Sequence, residues 1–260
     1  MGLFDKKDCA ICGAKIGLLG NRKLEDGNCC KDCAKKLSPW FSDRRKSTIA
    51  DIEAQLAYRE ENKAEVARFN VTRTLGNATK VLLDEDAGKF MVTSAKKWQD
   101  DNPDVLDYSQ VTGCNVDIDE HRRELTQRDK DGRQVSYRPQ RFEYDYDFTM
   151  VINVNSQWFD EIRFKLNSGH VTIAPRVTGT GILGAVGSAL DANRSDAKFR
   201  QYEAMADEIK AALTQARQAV RDGIVAAAAP KIAQTCPMCG ATTMPDASGR
   251  CEFCGGALAG

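Results

Sequence analysis

Cysteine spacing constrains this chain more than any other feature. Of ten cysteines, nine fall in two short terminal segments and only Cys114 lies between. Disulfide frameworks spread through the region they staple. Paired C-x-x-C turns confined to two segments read instead as metal modules in a reducing compartment. The first module is Cys9-Ala-Ile-Cys12-Gly13, followed after seventeen residues by Cys30-Lys-Asp-Cys33. The second is Cys236-Pro-Met-Cys239-Gly240, followed after eleven residues by Cys251-Glu-Phe-Cys254-Gly255. A C-x-x-C turn aims two sulfurs at one ion, and a following glycine supplies the positive φ such a turn needs. Two turns complete a tetrahedral four-cysteine site with no open position. The candidate ligands are therefore Cys9, Cys12, Cys30 and Cys33 for one structural Zn2+, and Cys236, Cys239, Cys251 and Cys254 for a second. Cys29 is the odd residue. C-x-x-C outranks C-x-x-x-C as a knuckle, so Cys30 is read as the ligand and Cys29 as a bystander.

Segments this short cannot bury enough surface to fold alone, so metal supplies their stability. A redox role for either C-x-x-C lacks the surrounding βαβ pattern. The rest of the composition is ordinary. The chain has 260 residues, with 37 Lys+Arg against 37 Asp+Glu. Zero net charge argues against a generic polyanion binder, although a local basic patch remains open. Residues 1–50 are such a region, with eleven Lys/Arg against six Asp/Glu. No apolar run approaches the roughly 20 residues of a membrane span. The start, MGLFDKKDCAIC, lacks an apolar signal core, so the expected compartment is the cytoplasm.

Between the modules the periodicity changes twice. Ser38-Pro39 reads as a helix start, and Thr48-Ile-Ala-Asp51 as a capping box. Residues 43–69 lack Gly and Pro and predict a helix, with Ile49, Ile52 and Leu56 as its apolar stripe. Its second half is polar, which predicts a partly exposed spacer. From about residue 78 the period becomes two. Asp86-Ala-Gly88 and Lys130-Asp-Gly132 mark hairpins, and Phe142 to Val154 alternates apolar and polar residues. The middle predicts about seven antiparallel strands closing into a barrel. A helix follows from about Ser195 to Asp222. Its stripe is Phe199, Tyr202, Ala206, Ile209, Leu213, Ala216 and Val220, set to cap the barrel or to pair with a second copy.

Three further features bear on chemistry. Gly179-Thr-Gly181-Ile-Leu-Gly184 matches G-x-G-x-x-G, but the βαβ context of a dinucleotide site is missing. Cys114 has no base assignable from sequence. His121 and His170, the only histidines, lie far from both modules. No catalytic or cofactor-binding constellation can be assembled, so the chain reads as a non-enzyme.

The head resembles an uncharacterised bacterial family with an N-terminal four-cysteine zinc ribbon. The residues that carry this are Cys9-Ala-Ile-Cys12-Gly13, Ile16-Gly-Leu-Leu-Gly20, Lys23-Leu-Glu-Asp-Gly27 and Cys30-Lys-Asp-Cys33. Phe69-Asn-Val-Thr72, Val81-Leu-Leu-Asp84 and Trp158-Phe-Asp-Glu-Ile162 through Lys165-Leu-Asn167 are similar to the family's body. That body implies a pleckstrin-homology-like domain of seven strands and a C-terminal helix. His121 to Arg141 and the second ribbon depart from the pattern.

The expected class is α+β: an antiparallel pleckstrin-homology-like β-barrel with a C-terminal capping helix, flanked by two zinc ribbons and an N-terminal spacer helix. The expected divisions are ribbon 1–38, helical spacer 39–69, β domain 70–222, linker 223–234 and ribbon 235–260. The expected function is that of a zinc-binding adaptor whose barrel takes a protein segment or a membrane-surface lipid headgroup, with homo-oligomers an open option. The alternative is a nucleic-acid-associated protein working through its basic head.

Overall fold

The computed structural model describes residues 7–173, 194–228, 233–246 and 249–258. Two compact units divide the chain, one up to Arg217 and one from Gln218.

The first unit starts with two short antiparallel hairpins. β1 (Lys7–Asp8) pairs with β2 (Lys15–Ile16), and β3 (Asn21–Lys23) with β4 (Asn28–Cys30). β4 runs into the short helix α1 (Lys31–Lys35), whose N-cap is Cys30. Leu24, Leu37 and Ile52 share a small core with the head cysteines, so this segment buries apolar carbon as well as sulfur.

α2 (Ile49–Arg68) begins at the capping box that the sequence marks. The Thr48 amide donates to Asp51 Oδ2 at 2.9 Å, and the Asp51 amide donates to Thr48 Oγ1 at 3.2 Å. Ser38 starts no helix at Pro39. Its Oγ accepts from the Trp40 amide at 3.1 Å and donates to Asp104 Oδ2 at 2.8 Å, which makes it a buried tether.

α2 is partly exposed, as expected, but its polar second half contributes to a buried stripe. Ile52, Gln55, Arg59, Asn62 and Val66 are all buried, a stripe stepping by three and four. Arg59 and Asn62 can occupy it because they find partners, whereas the buried Gln55 side-chain amide makes no hydrogen bond. Arg59 pairs with Asp104 at 2.7 Å, with the two side chains 8% and 0% exposed. It also donates to the carbonyls of Lys36 and Asn102. Asn62 donates to the Asn102 side chain at 2.8 Å and to the Pro103 carbonyl at 2.7 Å, and it accepts from the Val105 amide at 3.0 Å. Removing one partner of such a pair would leave an uncompensated buried charge, so the network holds α2 in one register.

β5 (Arg73–Gly76), β6 (Lys80–Asp84), β7 (Lys89–Thr93) and β8 (Val105–Asp107) form one antiparallel sheet in chain order. The unbroken runs Val81-Leu-Leu83 and Phe90-Met-Val92 are buried on both faces, as non-alternating apolar strands require. Leu82 and Met91 pack with Val66 and Phe69 at the end of α2.

The second sheet is organised by β10 (Gln134–Val154). It pairs with β9 (Val111–Arg128) along most of its length, and with β11 (Glu161–Lys165) and β12 (Val171–Ile173) in succession. Asn167 bridges the break between β11 and β12. Its side chain accepts from the Phe148 amide at 2.8 Å and donates to the Tyr146 carbonyl at 3.2 Å, replacing main-chain rungs. The alternation in β10 sends Tyr146, Phe148, Met150, Ile152 and Val154 into the core.

The long helix α3 (Ala197–Ala228) covers that face. Phe199 meets Tyr146 and Phe148 edge-on, each at 5.0 Å between ring centroids, and Tyr202 stacks on Phe148 at 5.5 Å. Phe199, Ala206, Ile209 and Leu213 are buried, as their spacing predicts. Asp196 rather than Ser195 receives the Lys198 amide, at 2.8 Å, and the helix runs through Gly223 instead of stopping there.

Among the described residues the expected closed barrel is not formed. The described strands make two open four-stranded antiparallel sheets with no ladder between them. β9 and β10 have 18 and 21 residues, whereas β5 to β8 have three to five. β10 is flanked by β9 on one side and by β11 and β12 on the other, so the edge of this sheet that stays unpaired is that of β9. The second unit contains the end of α3 and a hairpin of β13 (Gln234–Thr235) and β14 (Thr242–Thr243). Gly179 to Gly184 lies outside the described residues.

Candidate metal centres

The first cysteine group is assembled from two unlike pieces. Cys9 to Gly13 is a tight turn at the end of the β1–β2 hairpin. The Cys9 amide donates to the Ala14 carbonyl at 2.9 Å, and the Gly13 amide to the Cys9 carbonyl at 2.8 Å. Gly13 has φ 72°, a conformation that costs a side-chain-bearing residue about 1–2 kcal/mol. The other piece is a strand end joined to a helix start. Cys30 Sγ accepts from the Cys33 amide at 3.3 Å, and the Cys30 amide donates to Cys9 Sγ at 3.2 Å. Ala34 follows Cys33, so no glycine is required on that side.

Sγ atoms of Cys9, Cys12, Cys30 and Cys33 all lie within 4.8 Å of one another. Zn–S bonds of about 2.3 Å in a tetrahedron place sulfurs about 3.8 Å apart. The Cys12–Cys30 separation is 3.8 Å.

Charge in the metal-free group is unevenly shared. Burial opposes the Cys9 thiolate, but amide donors from Cys12, Cys30 and Ile11 outweigh it and bring the group down to about 6. Burial and the thiols of Cys12, Cys30 and Cys9 push Cys33 well above the ordinary thiol range. Four thiolates cannot coexist here without a cation, so metal entry expels protons. Cys29 is fully buried, and its thiol donates to the Cys30 carbonyl at 3.4 Å, outside the group of four. Burial, then the neighbouring charges of Cys9 and Cys30, pushes it up to about 11.

The second group repeats a single device. The Gly240 amide donates to the Cys236 carbonyl at 2.8 Å, and the Gly255 amide to the Cys251 carbonyl at 2.8 Å. Both glycines have positive φ, 73° and 70°. Cys236, Cys239, Cys251 and Cys254 again place their sulfurs within 4.8 Å of one another, with Cys236–Cys254 at 3.5 Å and Cys239–Cys251 at 3.7 Å. Amides of Cys239 and Met238 lower Cys236 to about 6. The Gly256 amide favours the Cys254 thiolate, but hydrogen bonds shared with Cys236 and Cys239 outweigh it and raise the group to about 12. Both sets are thus compatible with zinc, and all eight sulfurs chosen from spacing are the ones brought together.

Among the described residues, the remaining cysteine and the two histidines do not join these groups. Cys114 sits in β9, and burial raises it to about 11, the wrong direction for a nucleophile. His121 and His170, far apart in sequence, meet on the second sheet with ring centroids 6.1 Å apart. His170 Nδ1 is 3.0 Å from Asp147 Oδ1. Only strand register could reveal that meeting. Sequence reasoning also missed a cationic cleft on the head, lined by Asn21, Arg22, Lys23, Leu24, Glu25, Arg44 and Arg45. Its signal was present as Arg22-Lys23 and Arg44-Arg45, but nothing local says that the two pairs converge.

Residues 7–55 match the model of a domain of unknown function, DUF4428. No curated protein and no solved structure matches the chain. The matched segment contains the first cysteine group and the start of α2. No described helix is long and apolar enough to cross a membrane.

Proposed function

We propose that this chain is a non-enzymatic zinc-binding interaction protein, with one structural Zn2+ held by Cys9, Cys12, Cys30 and Cys33 and another by Cys236, Cys239, Cys251 and Cys254. Four sulfurs per ion leave no open coordination position, so zinc there orders the two segments and activates no water. Cysteines held on zinc and not in disulfides fit a reducing compartment such as the cytoplasm. Two antiparallel sheets followed by a covering helix support a pleckstrin-homology-like scaffold in open form.

The observation that carries the interaction reading is the β9–β10 arm. From Arg122 to Arg141 the two strands pair only with each other, and most of their residues are exposed. A two-stranded ribbon in water is marginally stable by itself. Arg122 lies 4.4 Å from the Phe142 ring and Arg141 4.5 Å from the Tyr137 ring, which holds aromatic surface outward under cationic cover. β9 pairs with no described strand but β10. Its other edge therefore offers unpaired amides and carbonyls to an extended protein segment.

The test is co-purification from the native host. The full chain is compared with a chain whose Arg122–Arg141 segment is replaced by an Asn-Gly turn, zinc content and melting being matched. Loss of the captured protein with the arm supports the reading. Full retention by the arm-less chain, with binding abolished by high salt and reproduced by residues 1–40 as nucleic-acid association, replaces it with the nucleic-acid alternative.

A further inference from the structure

The head carries a second feature that zinc does not explain. Leu18 and Leu19 are 81% and 88% exposed, the two most exposed large apolar side chains among the described residues. They occupy one turn, Gly17 to Gly20, closed by a Gly20 amide to Gly17 carbonyl bond of 3.0 Å. Single exposed leucines are commonplace on soluble proteins. Two adjacent ones at the tip of a glycine-bracketed turn form a small apolar prong.

That prong adjoins the cationic cleft. Arg22 Nη1 donates to the Leu19 carbonyl at 3.3 Å, so a guanidinium lies at the base of the turn. Arg44 Nη1 donates to the Lys23 carbonyl at 2.6 Å, which brings the second basic pair alongside the first. The cleft lining holds four cations, Arg22, Lys23, Arg44 and Arg45, against one carboxylate, Glu25. Burial, then the charges of Arg22 and Arg45, pulls Arg44 below its ordinary value.

We propose that the Leu18–Leu19 turn and the Arg22/Lys23/Arg44/Arg45 cleft form a docking surface for an anionic lipid bilayer. The leucines enter the interface between headgroups and acyl chains, while the cations lie at headgroup level. The two contributions act together, because buried apolar area and attraction to anionic lipid are the terms that set peripheral binding. Nucleic acid would satisfy the cations but not the prong: single strands are held by aromatic stacking, which leucine does not provide. A free phosphate would likewise leave both leucines in water. The inference is independent of the β9–β10 arm, which lies on the second sheet.

The experiment is vesicle flotation with the zinc-loaded full chain. Vesicles of phosphatidylcholine alone are compared with vesicles also containing phosphatidylserine. The chain floats with the anionic vesicles, stays behind with the neutral ones, and releases as salt rises. The double change Leu18→Ser and Leu19→Ser lowers apparent partitioning at least about tenfold, since it removes two apolar insertions. Arg45→Glu has a comparable effect. Both sites are exposed, so zinc content and melting stay at the parental values. Failure to float with anionic vesicles overturns the proposal. So does flotation that the double leucine change leaves untouched, or that duplex DNA competes away equally in parent and leucine variant. Replacing the β9–β10 arm leaves flotation unchanged, which separates this result from the arm's.

Discussion

The two cysteine modules answer one chemical requirement with different supports. The C-terminal group uses the same turn twice, each closed by a positive-φ glycine, and its core is little more than Cys236, Cys251 and Leu258. The N-terminal group uses that turn once and a helix start for its other half. Leu24, Leu37 and Ile52 back it, and α2 is locked in turn by the Arg59–Asp104 pair. A module whose stability resides in its ion is an autonomous clip. A module continuous with an apolar core is one end of a larger cooperative structure.

Metal removal gives the largest contrast. Structural zinc sites of this kind contribute roughly 10 kcal/mol or more, so chelation abolishes amide protection throughout residues 233–258. In the head, protection falls over the hairpins but survives in the body of α2. Hydrogen exchange read by mass spectrometry distinguishes the two, and equal loss in both would break the comparison.

Arg59→Ala comes next. It leaves Asp104 buried without its cation and costs about 3–5 kcal/mol. Chemical denaturation shows the loss in the unit that ends at Arg217, while zinc release from the C-terminal group keeps its parental rate. A change in that rate would contradict the separation of the modules.

Paired truncations sharpen the point. Leu24→Ala removes a fully buried side chain from the head and costs about 2–5 kcal/mol, whereas Leu258→Ala, in a core of three residues, falls at the lower end of that range. Melting monitored separately for each module by zinc release checks the order.

Gly240→Ala and Gly255→Ala each cost about 1–2 kcal/mol, because both positions require positive φ. Gly13→Ala costs the same in the head, whereas Ala34→Gly, inside α1 after the second cysteine pair, is destabilising by about 0.5–1 kcal/mol because no positive φ is needed there. Zinc competition with a chromophoric chelator resolves these steps. On metal content the smallest effect is that of Cys29→Ser, which keeps both zinc ions by elemental analysis. It costs about 1–3 kcal/mol, the penalty for a hydroxyl in a site that holds a thiol.

What the sequence alone determined is local. C-x-x-C turns place sulfurs through a few dihedral angles, and Thr48 reaches Asp51 across one helical turn. The alternation from Phe142 to Val154 marks a strand and its core residues from Tyr146 onward, although Asp147, Thr149 and Val151 between them are buried too. Each signal depends on neighbours within four residues or on one repeating period, so it can be read before folding. Tertiary structure decided the remainder. Arg59 meets Asp104 across 45 positions. Arg22 and Arg44 line one cleft, and the two histidines meet only through strand register. The second half of α2 reads as too polar for burial because Arg59 and Asn62 are polar. Those two side chains are buried because their partners arrive from the loop before β8. Among the described residues the two sheets stay separate although the outer edge of β9 is unpaired, and no local pattern in the sequence records that. Burial of a polar or charged group is favourable only when its partner is present, and no local pattern records where a distant partner will stand.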